Sequence, residues 1–430
     1  MNEQLPNTLP LNGSDYFQLF LDRHHRATGR LGNVSRFAVY LQGAPDSEAL
    51  RRRINDEPVL QWLSGLRLKA TWPFQLPRWQ HTGKRQPIPL FLHEAGQASR
   101  DLPESVWAAD INVRRQSPFR FDLVKYTDGS SALVFSWNHI VMDARGAELL
   151  IRQLGQTDGT ADSLQYLAPA ETPAPVMESL QHARKVKGFL LDGNPIRPAL
   201  LADRPSRQFN KFHIIAFSET ESRQVEVNCQ KYLARFGKSP VLLAATLRAF
   251  QQLLSPAPTQ DQQFWVPIPQ DQRRKGVAGP VIANQVSFLF YRLRAAQLTD
   301  LQSAVNEISE QMISQMRAGI PKSYHIMMNL VRRMPIALYS HITKSPTRGA
   351  LSSFFFSDTG NSLDDFTGFA GLPVADAVHY PPNAGIPGFT VIFMSVQNRL
   401  RAIVGYAPNG ATADKPVVFE RLLRKELLES

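Results

Sequence analysis

Phe135-Ser136-Trp137-Asn138-His139-Ile140-Val141-Met142-Asp143-Ala144-Arg145-Gly146 is the stretch whose reading decides the fold. Upstream, Ser131-Ala132-Leu133-Val134-Phe135 is apolar and β-prone, and the turn signal Asp128-Gly129 bounds it. Downstream, residues 147–154 carry apolar side chains at helical spacing. The segment predicts a strand, a tight loop and a helix, with a histidine at the strand end and an aspartate in the loop. A strand end holds a side chain rigidly, and the loop beside it admits substrate. Imidazole is the side chain best suited to move protons near neutral pH. The same spacing also fits a plainer arrangement: a strand-end histidine satisfied by a neighbour, and an aspartate that caps the next helix.

The chain has 430 residues, more than one compact core usually supports, so two domains are expected. With 43% hydrophobic and 20% charged residues, it has the composition of a globular protein rather than a disordered one. Its one cysteine, Cys229, excludes an intrachain disulfide. Cys229 falls in an amphipathic helix expected over 218–236, which marks it as a buried small hydrophobe rather than a nucleophile. Met1-Asn2-Glu3-Gln4-Leu5-Pro6 shows no basic region followed by an apolar core, and no apolar run reaches membrane-spanning length. The expectation is a soluble, cytoplasmic protein. The net charge of +11 suits an acidic partner. Nucleic acid is not the expected one, since zinc-ligand spacing, a recognition helix and an aromatic-basic platform are all missing from the sequence.

In chain order, Ser14 or Asp15 caps a helix whose apolar face is Phe17, Phe20 and Leu21. His24-His25-Arg26 looks like a second histidine pair, but Gly29 stands where a carboxylate would be needed, so a solvated basic turn is expected. Strands follow at 35–43 and 120–126, the latter forming a hairpin through Asp128-Gly129. Between them lie a helix at 48–55 capped by Ser47 and extended segments at 66–79 and 88–93, which Pro73, Pro77 and Pro87 interrupt. Residues 167–175 and 193–205 are rich in proline and flank a basic helix at 177–191, which reads as an interdomain crossover. A second half begins near Phe209. It predicts strands at 212–217, 263–268, 283–293 and 352–356, and a hairpin over 389–406. Helices are expected at 220–236, 239–254, 298–316 and 415–428, with one Met-rich helix over 324–343 that carries Arg332 and Arg333.

The Asn-His-x-x-x-Asp segment, its strand-loop-helix setting and the two-half layout resemble the coenzyme-A-dependent acyltransferase superfamily. That superfamily includes nonribosomal peptide condensation domains, plant-type acyltransferases and bacterial wax ester synthase/diacylglycerol acyltransferases. Its signature is His-His-x-x-x-Asp-Gly with the second His catalytic, which here is His139, with Asp143 the Asp. Asn138 stands in place of the first His, and Ala144 in place of the Gly. A positive φ at that site would strain Ala144. Ser14 and Asp15 are the nearest residues to the family's amino-terminal Ser-x-x-Asp. Ser117-Pro118-Phe119-Arg120 is similar to the segment before the catalytic hairpin. Val266-Pro267-Ile268-Pro269 with Arg273 or Arg274, then Asn284-Gln285-Val286-Ser287, resembles the Val-Pro-Val, Arg and Asn-x-x-Ser pattern. Ser357 to Gly360 resembles a strand-end Ser-Asn-x-x-Gly element, and Gly385-Ile386-Pro387-Gly388-Phe389 is the nearest match to Asp-Phe-Gly-Trp-Gly.

The resemblance implies an α/β (α+β sandwich) chain of chloramphenicol-acetyltransferase-like fold. Two similar subdomains, 1–175 and 205–430, would form a V around a central channel, joined by a crossover linker at 176–204. It implies an acyltransferase that moves an acyl group from a thioester to a hydroxyl or amine. The donor would be acyl-CoA or an acidic acyl carrier protein acting in trans, so that coenzyme A or phosphopantetheine arrives as substrate and neither a cofactor nor a metal is bound. His139 would be the general base. Asp143 would pair with Arg273 or Arg274, while Asn138, Asn284, Ser287 and Ser357 would face substrate. Arg273, Arg274 and Lys275, with Arg332 and Arg333, are the candidates for steering an anionic donor. A membrane surface against 324–343 is the rival use of those residues, as a peripheral contact. The competing functional reading is a catalytically degenerate binding or scaffold protein.

Overall fold

The structure, a computed structural model, describes residues 5–27, 31–69, 72, 74–96, 101–156, 164–169, 173–191, 197–201, 211–232, 237–254, 256–259, 262–274, 279–344, 347, 349–382, 387–407 and 414–429. The first half runs β1 (Thr8–Pro10), α1 (Gly13–Ala27), β2 (Val34–Leu41), α2 (Ser47–Asp56), α3 (Pro58–Ser64), β3 (Leu66–Leu68), β4 (Arg78–His81), β5 (Leu90–Ala95), α4 (Glu104–Trp107), β6 (Phe119–Tyr126), β7 (Ser131–Asn138) and α5 (Ala144–Gly155). The middle runs α6 (Val176–Leu191), β8 (Arg197–Pro198), β9 (Lys211–Ala216), α7 (Glu219–Lys231), α8 (Ser239–Leu253), β10 (Gln262–Asp271) and β11 (Val286–Leu293). The last part holds α9 (Leu301–Arg317), α10 (Ile320–Val331), α11 (Ile336–Lys344), β12 (Phe355–Asp358), β13 (Gly368–Phe369), β14 (Leu372–Tyr380), β15 (Phe389–Val396), β16 (Arg399–Tyr406) and α12 (Lys415–Leu428).

The β6–β7 hairpin starts the first core. Asp128 holds its turn by accepting from Ser130 N at 2.9 Å, and Gly129 takes φ 83°, which glycine adopts without strain. The register then sets Phe121 opposite Phe135 and Phe119 opposite Trp137. Every residue of β7 is buried, as is every residue of β2 beside it. That explains their near-continuous apolar sequences: both faces are covered. The sheet order is β13-β14-β2-β7-β6-β5, with β5 parallel to β6. A second core lies around the four-stranded sheet β12-β15-β16-β9, covered by α7, α8 and α12. In a three-stranded sheet, β11-β10-β8, the segment between β10 and β11 brings Asn284 to His139.

The division expected at 176–204 does not separate the strands. β14, from far into the second half, pairs antiparallel with β2 of the first, Ala377 opposite Val39 and Val378 opposite Ala38. No expected element covered β14, because Asp376 and His379 break its apolar pattern. Both are buried with partners: Asp376 pairs with Arg401 at 2.8 Å, and His379 with Glu148 at 2.9 Å. A charge inside a strand is tolerated when it is paired. The linker span itself contains α6, which packs on α10.

Other boundaries also differ. The helix expected over 324–343 is two helices, α10 and α11, because Pro335 lacks an N–H and cannot continue the first. Asp46, not Ser47, caps α2 by accepting from Glu48 N. His24 and His25 lie in the last turn of α1 rather than in a solvated turn. His25 is buried, and His24 Nδ1 lies 2.9 Å from Lys344 Nζ. Cys229 is buried, and desolvation pushes its thiol up to about 12, which makes it unreactive. Phe209, Lys275, Gly385, Ile386 and much of 192–210 lie outside the described residues.

The N-terminal end of α1 is pressed against α10. Gly13 N donates to Asn329 Oδ1 at 2.8 Å, Arg332 donates to Leu11 O at 2.7 Å, and Tyr16 Oη donates to Met334 O. A Cβ on Gly13 would sit 2.5 Å from the Met328 carbonyl carbon, so only glycine fits. Gly13→Val is expected to lower unfolding stability by about 1–3 kcal/mol through overpacking, measured by denaturant titration. Unchanged stability would show that α1 and α10 are not in contact at this point.

Candidate active site

His139 follows the last residue of β7. Its N–H donates to Asn33 O at 2.7 Å, which ties it to the start of β2. Asn138 and Ile140 on either side are fully buried, whereas His139 keeps part of its surface exposed. Desolvation lowers its pKa below the usual imidazole value, although Asp143, its own carbonyl and Asn284 all pull the other way. Burial thus favours the neutral form of the ring.

Asn284 determines which ring nitrogen carries the proton. Its Nδ2 donates to Asp15 Oδ1 at 2.8 Å and to His139 O at 2.9 Å. The reverse amide orientation would set oxygen against both acceptors. Asn284 Oδ1 therefore faces His139 Nδ1, 3.0 Å away. An amide oxygen only accepts, so Nδ1 carries the hydrogen and Nε2 keeps its lone pair.

Asp15 lies behind Asn284 and is buried. Its Oδ1 accepts from both Asn284 N and Asn284 Nδ2 at 2.8 Å, and its Oδ2 accepts from Asn12 N at 3.0 Å. Asn12 Oδ1 in turn accepts from Asp15 N at 2.8 Å, a reciprocal capping pair. Asn12 thus caps α1, rather than Ser14 or Asp15. Ser14 Oγ instead donates to Val286 O at 2.6 Å. Desolvation pushes the Asp15 carboxyl up to about 7, against the donors from Asn284 and Asn12.

Asp143 caps α5, accepting from Gly146 N at 2.9 Å. It also receives a bidentate pair from Arg273, at 2.9 and 3.0 Å, and Gln285 N at 2.9 Å. Both side chains of the pair are nearly inaccessible, at 7% and 5%. Desolvation works against the Arg273 charge, yet Asp143 and Asp271 outweigh it and raise the guanidinium pKa. Arg273 therefore holds Asp143, and Arg274 is exposed. Ala144 begins α5 and is not among the positive-φ residues, so the alanine brings no strain. The steric demand falls on Gly146, where a Cβ would sit 2.1 Å from Val281 O.

Two of the remaining expected site residues are bonded inside the protein. Asn138 is fully buried and donates to Asp22 Oδ1 at 2.9 Å, so it braces β7 against α1 instead of binding substrate. Ser287, also fully buried, donates to Pro321 O at 2.6 Å. Asn284 has both amide hydrogens committed, which leaves it no donor for a developing oxyanion. Ser357 lies in β12 next to the buried Phe356 and is itself half-buried. Among the steering candidates, Arg273 is consumed by Asp143 and Arg332 by Leu11 O, while Arg274 and Arg333 are exposed.

The buried pair His379–Glu148 was absent from the expected site. Glu148 lies on α5 and also bonds Arg145 at 2.9 Å. His379 stacks on Phe37 with centroids 4.4 Å apart, and its charge, when present, opposes protonation of His139. Its sequence signal was weak because the two partners are distant in the chain.

No protein-family model and no curated protein sequence matches this chain. Solved structures do. The first condensation domain of the CDA synthetase superposes with TM-score 0.68 at 14% identity, covering 100% of this chain and 97% of that one. The chain has the condensation-domain fold. The condensation domain of the Monacolin K polyketide synthase MokA gives TM-score 0.69 at 12% identity, over 98% of this chain and 97% of that one. The trichothecene 15-O-acetyltransferase from Fusarium sporotrichioides gives 0.69 at 14% identity, over 98% and 95%. The condensation-type architecture thus spans the whole chain. No helix among its described residues is long and apolar enough to cross a membrane.

Removing one partner of a buried ion pair leaves the other uncompensated, a loss of about 3–5 kcal/mol. Asp143→Asn and Arg273→Met are each expected to lose stability on that scale. The double variant should lose clearly less than the two losses added, because the second change removes a charge already stranded. Strictly additive losses in a denaturant double-mutant cycle would show that this pair does not join the loop to residue 273.

Proposed function

We propose that this protein transfers an acyl group from a thioester donor to a hydroxyl or amine acceptor, with His139 as general base. The observation that carries the reading is the His139–Asn284 geometry: an imidazole with Nδ1–H committed to Asn284 and Nε2 left to accept, partly open at a strand end. The fold supports it too, since one structural neighbour is an O-acetyltransferase and others are condensation domains.

The chemistry suits the residues. A thioester is already activated, so no covalent enzyme intermediate is required. The acceptor O–H or N–H gives its proton to Nε2 as the heteroatom attacks the thioester carbonyl carbon. The tetrahedral intermediate collapses, the C–S bond breaks, and the thiolate takes the proton back from Nε2. The products are an ester or amide and a free thiol. Asp143 does not touch substrate in this scheme. It holds the loop between β7 and α5 through Gly146, Gln285 and Arg273.

The donor is coenzyme A or a carrier-bound phosphopantetheine thioester. Either is anionic, and the chain's net charge of +11 favours its approach. Arg274 and Arg333 are free to take part, being exposed. Nothing in the loop geometry favours a degenerate site, since neither Asn138 nor Ala144 disturbs His139.

The test is mass spectrometry of products from a panel of acyl-CoA and acyl-carrier donors with mixed alcohols and amines. Wild type should form an acylated product with release of thiol. His139→Ala should form it about 10²–10⁴-fold more slowly. Equal rates for the two proteins would overturn the reading and leave a binding protein in its place.

A further inference from the structure

Asp15 touches nothing that reacts, yet three observations tie it to the reacting nitrogen. Its Oδ1 accepts both N–H groups that Asn284 turns toward α1, the backbone N–H and one Nδ2–H. With Nδ2 so fixed, Asn284 can offer only oxygen to His139 Nδ1. Asp15 is itself held in place by the reciprocal pair with Asn12, and Asn12 Nδ2 also donates to Asn284 O at 2.9 Å. The site of contact is constrained further by Ala283, a non-glycine residue at φ 73° whose N–H donates to Val141 O at 2.8 Å. A left-handed alanine costs about 1–2 kcal/mol, so the segment that delivers Asn284 is held there against its own preference.

We propose that Asp15 is a positioning residue: acting through Asn284, it keeps His139 in the Nδ1–H tautomer, which leaves Nε2 as the proton acceptor. This rests on His139 being the base of the transfer reaction. Helix α1 thereby becomes part of the catalytic apparatus without contacting substrate. Without the carboxylate, the His139 carbonyl, 2.9 Å from Nδ2, is left as the main acceptor favouring this face of the Asn284 amide. Rotated by half a turn, it would present Nδ2–H to Nδ1 and favour the opposite tautomer, with the hydrogen on the nitrogen that must accept one. The two orientations would then share the population, and the productive one would be diluted.

The test needs no substrate. Full-length protein labelled with 15N-histidine is examined by long-range proton–nitrogen correlation, and His139→Gln identifies the His139 signals. Wild type should show one tautomer, with Nδ1 protonated and Nε2 bare. Asp15→Leu, which removes both acceptor oxygens, should shift the His139 nitrogens toward a mixture of the two tautomers. Tyr16→Phe removes the α1 hydrogen bond to Met334 O and leaves the bonds of Asn12, Asp15 and Asn284 in place. It should lower thermal stability while the His139 signals stay as in wild type. A wild-type ring protonated on Nε2 overturns the proposal even if Asp15→Leu does not fold. So do unshifted signals in a folded Asp15→Leu, or equal shifts in Tyr16→Phe, which would mean that any loosening of α1 has the same effect. Acyl transfer by wild type with no tautomer change in Asp15→Leu would sink the Asp15 proposal and spare the functional reading. No transfer with any donor, beside the expected tautomers, would do the reverse.

Discussion

Two carboxylates on α1, Asp15 and Asp22, are the constraint on which the site depends. They lie two turns apart, so they share one face of the helix. Asp15 reaches forward to Asn284, which contacts His139. Asp22 Oδ1 accepts from Asn138 Nδ2 and from Asn33 N, and Asn33 O receives the His139 N–H. The histidine is thus bracketed from one helix on both sides. Burying carboxylates is costly unless every lone pair is used, and here donors from α1, β2, β7 and the 279–287 segment are spent on them. A half-satisfied network would be worse than an apolar core, so the two ends of this arrangement stand or fall together.

The second half of the chain supplies what the first lacks. The segment entering β11 passes under the loop after His139, bridging Ala283 to Met142, with Gln285 N and Arg273 on Asp143. Gly146 allows the close approach, since any side chain there would meet Val281 O. β14 adds a strand to the first sheet, and α10 clasps α1. The His139 loop is therefore a joint between the halves, and its geometry depends on their relative placement.

The hairpin, the strand-loop-helix and the Asp143–arginine pairing were legible because each rests on local pattern or on the resemblance those patterns carry. β14 was hidden by Asp376 and His379, polar side chains that make sense only beside Arg401 and Glu148. Asn12 as a cap was readable from its spacing to Asp15, but the adjacent Ser14 competed for that role. Asn284 was placed near the reaction with the wrong duty, facing substrate, because sequence cannot show that Asp15 and the His139 carbonyl claim both of its hydrogens. Asn138 and Ser287 were misplaced for a related reason. A polar side chain reads as available until its partner, distant in the chain, is known.

The account's central claim is that His139 is a neutral base, desolvated but reachable. The most direct measurement is the pH dependence of kcat/KM for acyl transfer, which reports groups of the free enzyme. Burial disfavours the charged imidazole, so its folded pKa lies below the unfolded value of about 6.5. Activity should then hold as pH falls through neutrality and drop only below about 6.5, along a single-proton limb. A limb above that value, or a rate that does not fall in acid while the protein remains folded, would contradict it.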